Sequence, residues 1–221
     1  MLGRSKITEF PLRVGLIGVG RHGSRYAKHI REDLPEIDLI GLWRRNAGEG
    51  KRQARQYGCR YFHTYSDLLS DNSIDAVVVA LPPALNRAIC EEAAYRGKHI
   101  LLEKPMAINV GEAIRICQVV SRCSVHLMVS QTLRFNTAVR AVKDRIPQLG
   151  SLHSIHLTKG LSPPPWPGWI KKILLGEESS YTLESIASIF SVFSPKRRLI
   201  RYHAGLIGSS QGVRRIISRP L

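Results

Sequence analysis

The sequence predicts an α/β fold whose first half is a doubly wound parallel sheet. Three observations carry this. Short apolar runs alternate with helix-like segments from about residue 13 to residue 130. The run AVVVAL at 76–81 is uninterrupted and valine-rich, as a strand covered on both faces should be. The first apolar run feeds straight into a glycine turn, GVGRHG at 18–23.

In chain order, residues 13–17 read as a buried strand and 22–31 as a helix. DLIGLW at 38–43 is a second strand, and the polar stretch 48–57 a second helix. After the strand at 76–81 come a helix at 85–95, closed by Gly97, and an apolar strand at 99–102. Residues 109–122 are helical, with Val110, Ala113, Ile114, Cys117 and Val120 spaced to share one stripe. The next strand is 126–130, and PPPWPG at 163–168 is a loop because proline suits neither helix interior nor central strand. No internal repeat is present.

At 221 residues the chain has room for one domain and part of a second, and its 43% apolar content is ordinary for a globular protein. No apolar run approaches the roughly 20 residues of a membrane helix. The N-terminal residues carry no apolar core of a signal peptide, so a cytoplasmic protein is expected. The four cysteines (Cys59, Cys90, Cys117, Cys123) have no CxxC or metal-ligand spacing, which predicts reduced thiols and no metal site. The net charge of +16 raises the question of nucleic acid. The charges are scattered and no basic helix interleaves aromatics, so weak nonspecific attraction is expected and sequence-directed binding is not.

The glycine turn carries the first chemistry. Gly18, Gly20 and Gly23 form G-x-G-x-x-G between a strand and a helix, the context of a dinucleotide fingerprint. Gly18 permits the tight turn, Gly20 lets backbone approach a pyrophosphate, and Gly23 lets the helix sit close to the sheet. This makes the fold Rossmann-type. N–H groups at the helix start then face the phosphates. Arg21 and His22 lie inside the turn and are counted with the cofactor site, as are Pro82 and Glu103 after the strands at 76–81 and 99–102. The second strand ends Trp43-Arg44-Arg45-Asn46. An NAD binder usually places a carboxylate there for the ribose 2′-OH. Two guanidinium groups can instead meet a 2′-phosphate, which predicts NADP(H), with NAD(H) the alternative and plain solvation the bland role of the pair.

The strand at 99–102 leads into Glu103-Lys104-Pro105. A lysine at the carboxyl end of a parallel strand points into the crevice where such sheets bind ligands, and it can hydrogen-bond or move a proton at a carbinol. A lone lysine is more often solvated. Here the strand-linked G-x-G-x-x-G, the strand ending in Pro82-Pro83, and GKHILLEKP at 97–105 together resemble the Gfo/Idh/MocA oxidoreductases. The resemblance runs from about residue 13 to residue 168 and takes in QTLRFN at 131–136 and Leu149-Gly150. It implies hydride transfer between a nicotinamide cofactor and a sugar, polyol or related small carbonyl compound. It implies that Lys104 sits beside nicotinamide and substrate, with Arg134 a weaker substrate-side candidate whose bland role is an ion pair. Two positions depart from the family pattern: Asn86 stands where a histidine is common, and Leu81 where threonine or serine is usual.

The family pattern continues with a glycine pair and a helix carrying G-x-H-x-x-D, and this chain has neither after Trp169. Back-translation of GEESSYTLESIASI at 176–189, read from the third base of the first codon, permits GGILLHLGIHSVD. That supplies the missing residues in order. A slipped reading frame between about 169 and 176 is therefore expected, against a divergent C-terminal helix as the alternative. The expected organisation is a Rossmann domain at 1–123, the start of an α+β second domain at 124–170, left incomplete, and a non-family tail at 171–221. Family-type homo-oligomerisation would suffer accordingly. The leading expectation is an NAD(P)-dependent oxidoreductase; the alternatives are a noncatalytic NADP(H)-binding regulatory or interaction protein, and a nonfunctional product.

Overall fold

The computed structural model describes residues 10–150 together with two short strands at 202–204 and 217–219. It divides into two compact units, Met1–Ser130 and Gln131–Leu221. The first holds a parallel sheet of six strands: β1 (Leu12–Ile17), β2 (Ile37–Trp43), β3 (Arg60–Tyr61), β4 (Ala76–Val79), β5 (His99–Leu102) and β6 (Leu127–Val129), in the order β3-β2-β1-β4-β5-β6. Helices α1 (Gly23–Glu32), α2 (Ala47–Tyr57), α3 (Tyr65–Ser70), α4 (Asn86–Tyr95) and α5 (Val110–Arg122) make the crossovers.

Two cores follow from the two-residue period of the strands. Ile17, Val77, Val79, Ile100 and Leu102 face one way and pack with Leu68, Leu69, Ile89 and Ile116 of α3, α4 and α5. Val14, Leu16, Leu39, Leu42 and Val78 face the other way, onto Ala27, Ile30 and Ala54 of α1 and α2. Each fully buried aliphatic side chain contributes about 1.5–3 kcal/mol. Helix starts are set locally. Asn46 accepts from the Glu49 N–H at 3.0 Å and Asn109 from the Glu112 N–H at 2.9 Å. Thr64 and Asp67 form a reciprocal capping box that opens α3.

The amino end of the sheet is closed by charge. Arg13 binds both oxygens of Asp75, at 2.8 and 2.6 Å. Arg60 pairs with Asp71 at 2.7 Å. The Lys98 ammonium donates to the carbonyls of Asp71 at 2.8 Å and Ile74 at 2.7 Å, and burial pulls its pKa below the ordinary lysine range.

Two differences from expectation are physical, while the first unit itself runs through β6, which pairs in register with β5, to Ser130. β3 and α3 were not expected; they have two and six residues, too short for a periodic signal. The buried side of α5 is Ile116, Val119 and Val120, whereas Val110, Ile114 and Cys117 of the expected stripe face outward. α5 has apolar residues on two faces, and periodicity alone does not say which meets the sheet.

In the second unit, α6 (Thr137–Arg145) is capped by Asn136, whose side chain accepts from the N–H groups of Ala138 and Val139. The strands β7 (Tyr202–Ala204) and β8 (Ile217–Arg219) pair antiparallel. Most of the 171–221 tail, with its frame-slip reading, lies outside the described residues. Among the described residues no helix is long and apolar enough to cross a membrane, and no cluster of metal-ligating side chains occurs.

Candidate functional site

The ladder register aligns Ile17, Val79, Leu102 and Val129 across four neighbouring strands. The residues that follow them, Gly18, Ala80, Glu103 and Ser130, form the row at the carboxyl end of the sheet. Backbone bonds fix that row: Ala80 N–H to Ile17 O at 2.9 Å, Glu103 N–H to Val79 O at 2.9 Å and Ser130 N–H to Leu102 O at 2.8 Å. With strands spaced about 4.8 Å apart, the glycine turn and Glu103 lie roughly 10 Å apart along one edge.

Gly18 has φ +94°, and a Cβ there would meet the Ala80 carbonyl oxygen at 2.6 Å. A Cβ on Gly23 would run into the Gly18 carbonyl. Around Gly20, by contrast, a Cβ would find nothing within 4 Å among the described residues. Two glycines thus shape the turn, and the third leaves an open approach of the kind a pyrophosphate needs. The first turn of α1 carries no acidic side chain, so its positive end is uncompensated. These features fit a dinucleotide's phosphates.

Arg44 is built into this turn. One guanidinium nitrogen donates to the Val19 carbonyl at 3.0 Å and to Gln53 Oε1 at 3.0 Å, and Glu49 lies 3.7 Å from it. Gln53, only 6% exposed, reaches Ser24 Oγ at 3.4 Å, and Ser24 Oγ donates to the Gly20 carbonyl at 2.8 Å. Arg44, Gln53 and Ser24 therefore staple the loop to α2. Sequence reasoning missed Gln53 and Ser24, because the contact joins residues 29 apart. Arg45, one step on, is exposed, as are Arg21 and His22 in the turn.

On the other side of the row, Glu103 is held by its neighbours. Its Oε1 accepts from the Tyr26 hydroxyl at 2.7 Å, and its Oε2 from the Lys104 N–H at 3.0 Å. Ser130 Oγ lies 2.8 Å from the same hydroxyl. Burial, with the Glu103 carboxylate beside it, pushes the Tyr26 pKa up to about 12 against the pull of Ser130. Neutral Tyr26 is a donor here, not a base. Lys104 is half-buried, and the Lys104–Pro105 peptide is cis. Pro82 precedes a 3-10 turn (Pro83–Leu85) that opens into α4, and Asn86 at the start of α4 donates to the carbonyls of Pro105 and Met106. The structure thus brings Gly18, Gly20, Gly23, Arg44, Pro82, Glu103 and Lys104 to one end of one sheet. Arg134 is exposed on the 3-10 turn Thr132–Phe135 of the second unit.

The comparisons agree with this architecture. Residues 12–131 match the GFO_IDH_MocA model, described as an oxidoreductase family with an NAD-binding Rossmann fold. The uncharacterized oxidoreductase YrbE of Bacillus subtilis is 30% identical over 154 residues, 69% of this chain and 45% of that protein. The scyllo-inositol 2-dehydrogenase (NAD(+)) of the same bacterium is 28% identical over 139 residues, 62% of this chain and 41% of the other. Among solved structures, the 3-ketoreductase KijD10 from Actinomadura kijaniata, in complex with NADP and TDP-benzene, is 28% identical with a TM-score of 0.58, over 62% of this chain and 42% of that one. The chain spans less than half the length of each of these relatives.

Proposed function

The chain belongs to the Gfo/Idh/MocA family of oxidoreductases, and from that premise we propose that it binds NADP(H) at the carboxyl end of its sheet and presents Lys104 to a sugar, polyol or related small carbonyl compound. The observation that carries this is the shared row: the open glycine turn after β1 and Glu103-Lys104 after β5 lie on one edge, two strands apart. A bound nicotinamide supplies or accepts the hydride. The residues of this chain do the rest. Gly20 and the start of α1 receive the phosphates. Arg44 holds the loop through Val19 and Gln53, which leaves the exposed Arg45 as the cation for a 2′-phosphate. Lys104 donates to, or exchanges a proton with, the reacting oxygen. Arg134 is the weaker substrate-side candidate.

Relatives differ in cofactor by their own names, NAD(+) for one and NADP for another, so the preference is the discriminating measurement. Titrating NADPH and NADH by nicotinamide fluorescence should give tighter binding of NADPH. Arg45→Ala should weaken NADPH by about tenfold and leave NADH nearly unchanged, as loss of one charge-assisted contact predicts. Equal binding of both cofactors by the wild type would sink the preference, and binding of neither would sink the whole reading.

A second reading rests on the missing G-x-H-x-x-D: a noncatalytic protein that binds NADP(H). Cofactor binding without turnover on a panel of sugars and polyols, or turnover unaffected by Lys104→Ala, would favour it. Sequencing the gene across the codons of residues 169–176 tests the frame slip; bases that forbid G-x-H-x-x-D in the shifted frame end it.

A further inference from the structure

We infer that Asn86 is a positioning residue for Lys104, a role that rests on the cofactor reading above. Asn86 is the first residue of α4 and is only 1% exposed. Its Nδ2 donates to two successive carbonyls, those of Pro105 at 3.1 Å and Met106 at 3.2 Å. Carbonyls only accept, so the amide nitrogen must face them and the orientation of the group is fixed. The other end, Oδ1, is buried without a hydrogen-bond partner among the described residues. A buried acceptor left in that state opposes folding. The side chain is therefore set for its two N–H groups, both spent on the two residues directly after Lys104.

What the clamp does follows from what it joins. α4 is anchored in the core through Ile89, Cys90, Ala93 and Ala94. The segment after β5 leaves the sheet at Glu103, which Tyr26 already holds. Lys104 thus lies between two fixed points, Glu103 on one side and the chelated Pro105 and Met106 carbonyls on the other. Its backbone has little freedom, and the ammonium stem starts from a defined place at the crevice. Holding a reacting group before the ligand arrives removes an ordering cost from binding. No single N–H donor can replace this, because one hydrogen bond leaves the second carbonyl free to swing.

The test separates positioning from packing by using two ligands. NADPH reaches toward Lys104; 2′-phospho-ADP-ribose has no nicotinamide and stops at the phosphates. Asn86→Leu, matched in size, and Asn86→Asp, which turns lone pairs toward the two carbonyls, should each weaken NADPH by about fivefold. Both should leave 2′-phospho-ADP-ribose within about twofold, since the glycine turn is untouched. In a Lys104→Ala background, Asn86→Leu should cost NADPH nothing further. Hydrogen exchange at the Lys104, Met106 and Ala107 amides should quicken in Asn86→Leu, with or without cofactor. Equal losses on both ligands would reduce Asn86 to packing and overturn the inference, as would no loss on NADPH or an undiminished loss in the Lys104→Ala background. If Asn86→Leu does not fold, Asn86→Asp and Asn86→His are read by the same criteria. Wild-type protein that binds neither ligand refutes the cofactor reading, and the inference falls with it. Binding of both ligands by the wild type with no selective loss in the variants refutes the inference alone.

Discussion

The two ends of the sheet are built on opposite plans. At the amino end, Arg13, Arg60 and Lys98 spend their charges on Asp75, Asp71 and nearby carbonyls. At the carboxyl end the chain supplies glycines, helix starts and a lysine on a braced turn, and an approach at Gly20 stays open. Charges satisfied internally add stability and leave little to offer a ligand. The open end gives up such contacts to keep groups facing outward. The comparison teaches that a basic residue's meaning depends on which end of a parallel strand it occupies, because ligands gather beyond the carboxyl ends.

Four changes sharpen the contrast, one in binding and then three in stability from the largest to the smallest. Arg45→Ala, described above, should change cofactor preference by about tenfold with the melting temperature unmoved, so it tests binding alone. The largest stability effect falls on the open end itself. Gly18→Ala must adopt φ +94° and push against the Ala80 carbonyl, so a loss of about 3 kcal/mol or more in urea unfolding is expected. An unchanged midpoint would mean that the turn has slack it does not show.

At the closed end, Asp75→Asn should cost about 1 kcal/mol at neutral pH, allowing for screening of a partly exposed pair. Hydrogen bonding from Arg13 holds the Asp75 carboxyl below its usual range, and Ser73 does the same for Asp71, with Arg60 adding to it. The folded state thus binds protons later than the unfolded chain. Its advantage is present above the ordinary carboxylate pKa of about 4 and is lost as pH falls through the lower folded values. Asp75→Asn should flatten this acid limb; an unaltered acid profile would remove the pair from the stability of that end.

Tyr26→Phe is the smallest change at neutral pH, about 0.5 kcal/mol for the hydroxyl that joins Glu103 and Ser130. Its signature is alkaline. The folded pKa is raised from 10.0 to about 12, so the stabilisation is complete below pH 10 and disappears as pH rises toward 12. The phenylalanine variant should lose that part of the alkaline decline, and a wild-type ultraviolet titration should show one late tyrosinate. A Tyr26 that ionises with the other tyrosines would contradict the network.

The sequence made the scaffold legible where signals were local. The valine run of β4, the glycine turn and the strand before Lys104 were read from short windows, and each falls within a few residues of its place. The facing of α5 was not legible, since Ile114 and Ile116 are equally apolar and only the sheet decides which is buried. The braces of the site were hidden for a related reason. Gln53 to Ser24, Asn86 to Pro105 and Tyr26 to Glu103 join residues 29, 19 and 77 apart. No window on the chain contains both partners, and each residue alone looks like an ordinary polar side chain. α3 was within reach: Thr64 and Asp67 carry a capping-box spacing that marks a helix start even when six residues give no period.

The vacant surroundings of Gly20 make an unusual control available. A methyl group placed there meets no atom within 4 Å among the described residues beyond its chain neighbours. Gly20→Ala should therefore melt with the wild type while its added carbon stands in the volume a diphosphate would claim. Such a variant is a scaffold with its socket plugged. Any signal it retains in a dinucleotide titration comes from somewhere other than the glycine turn.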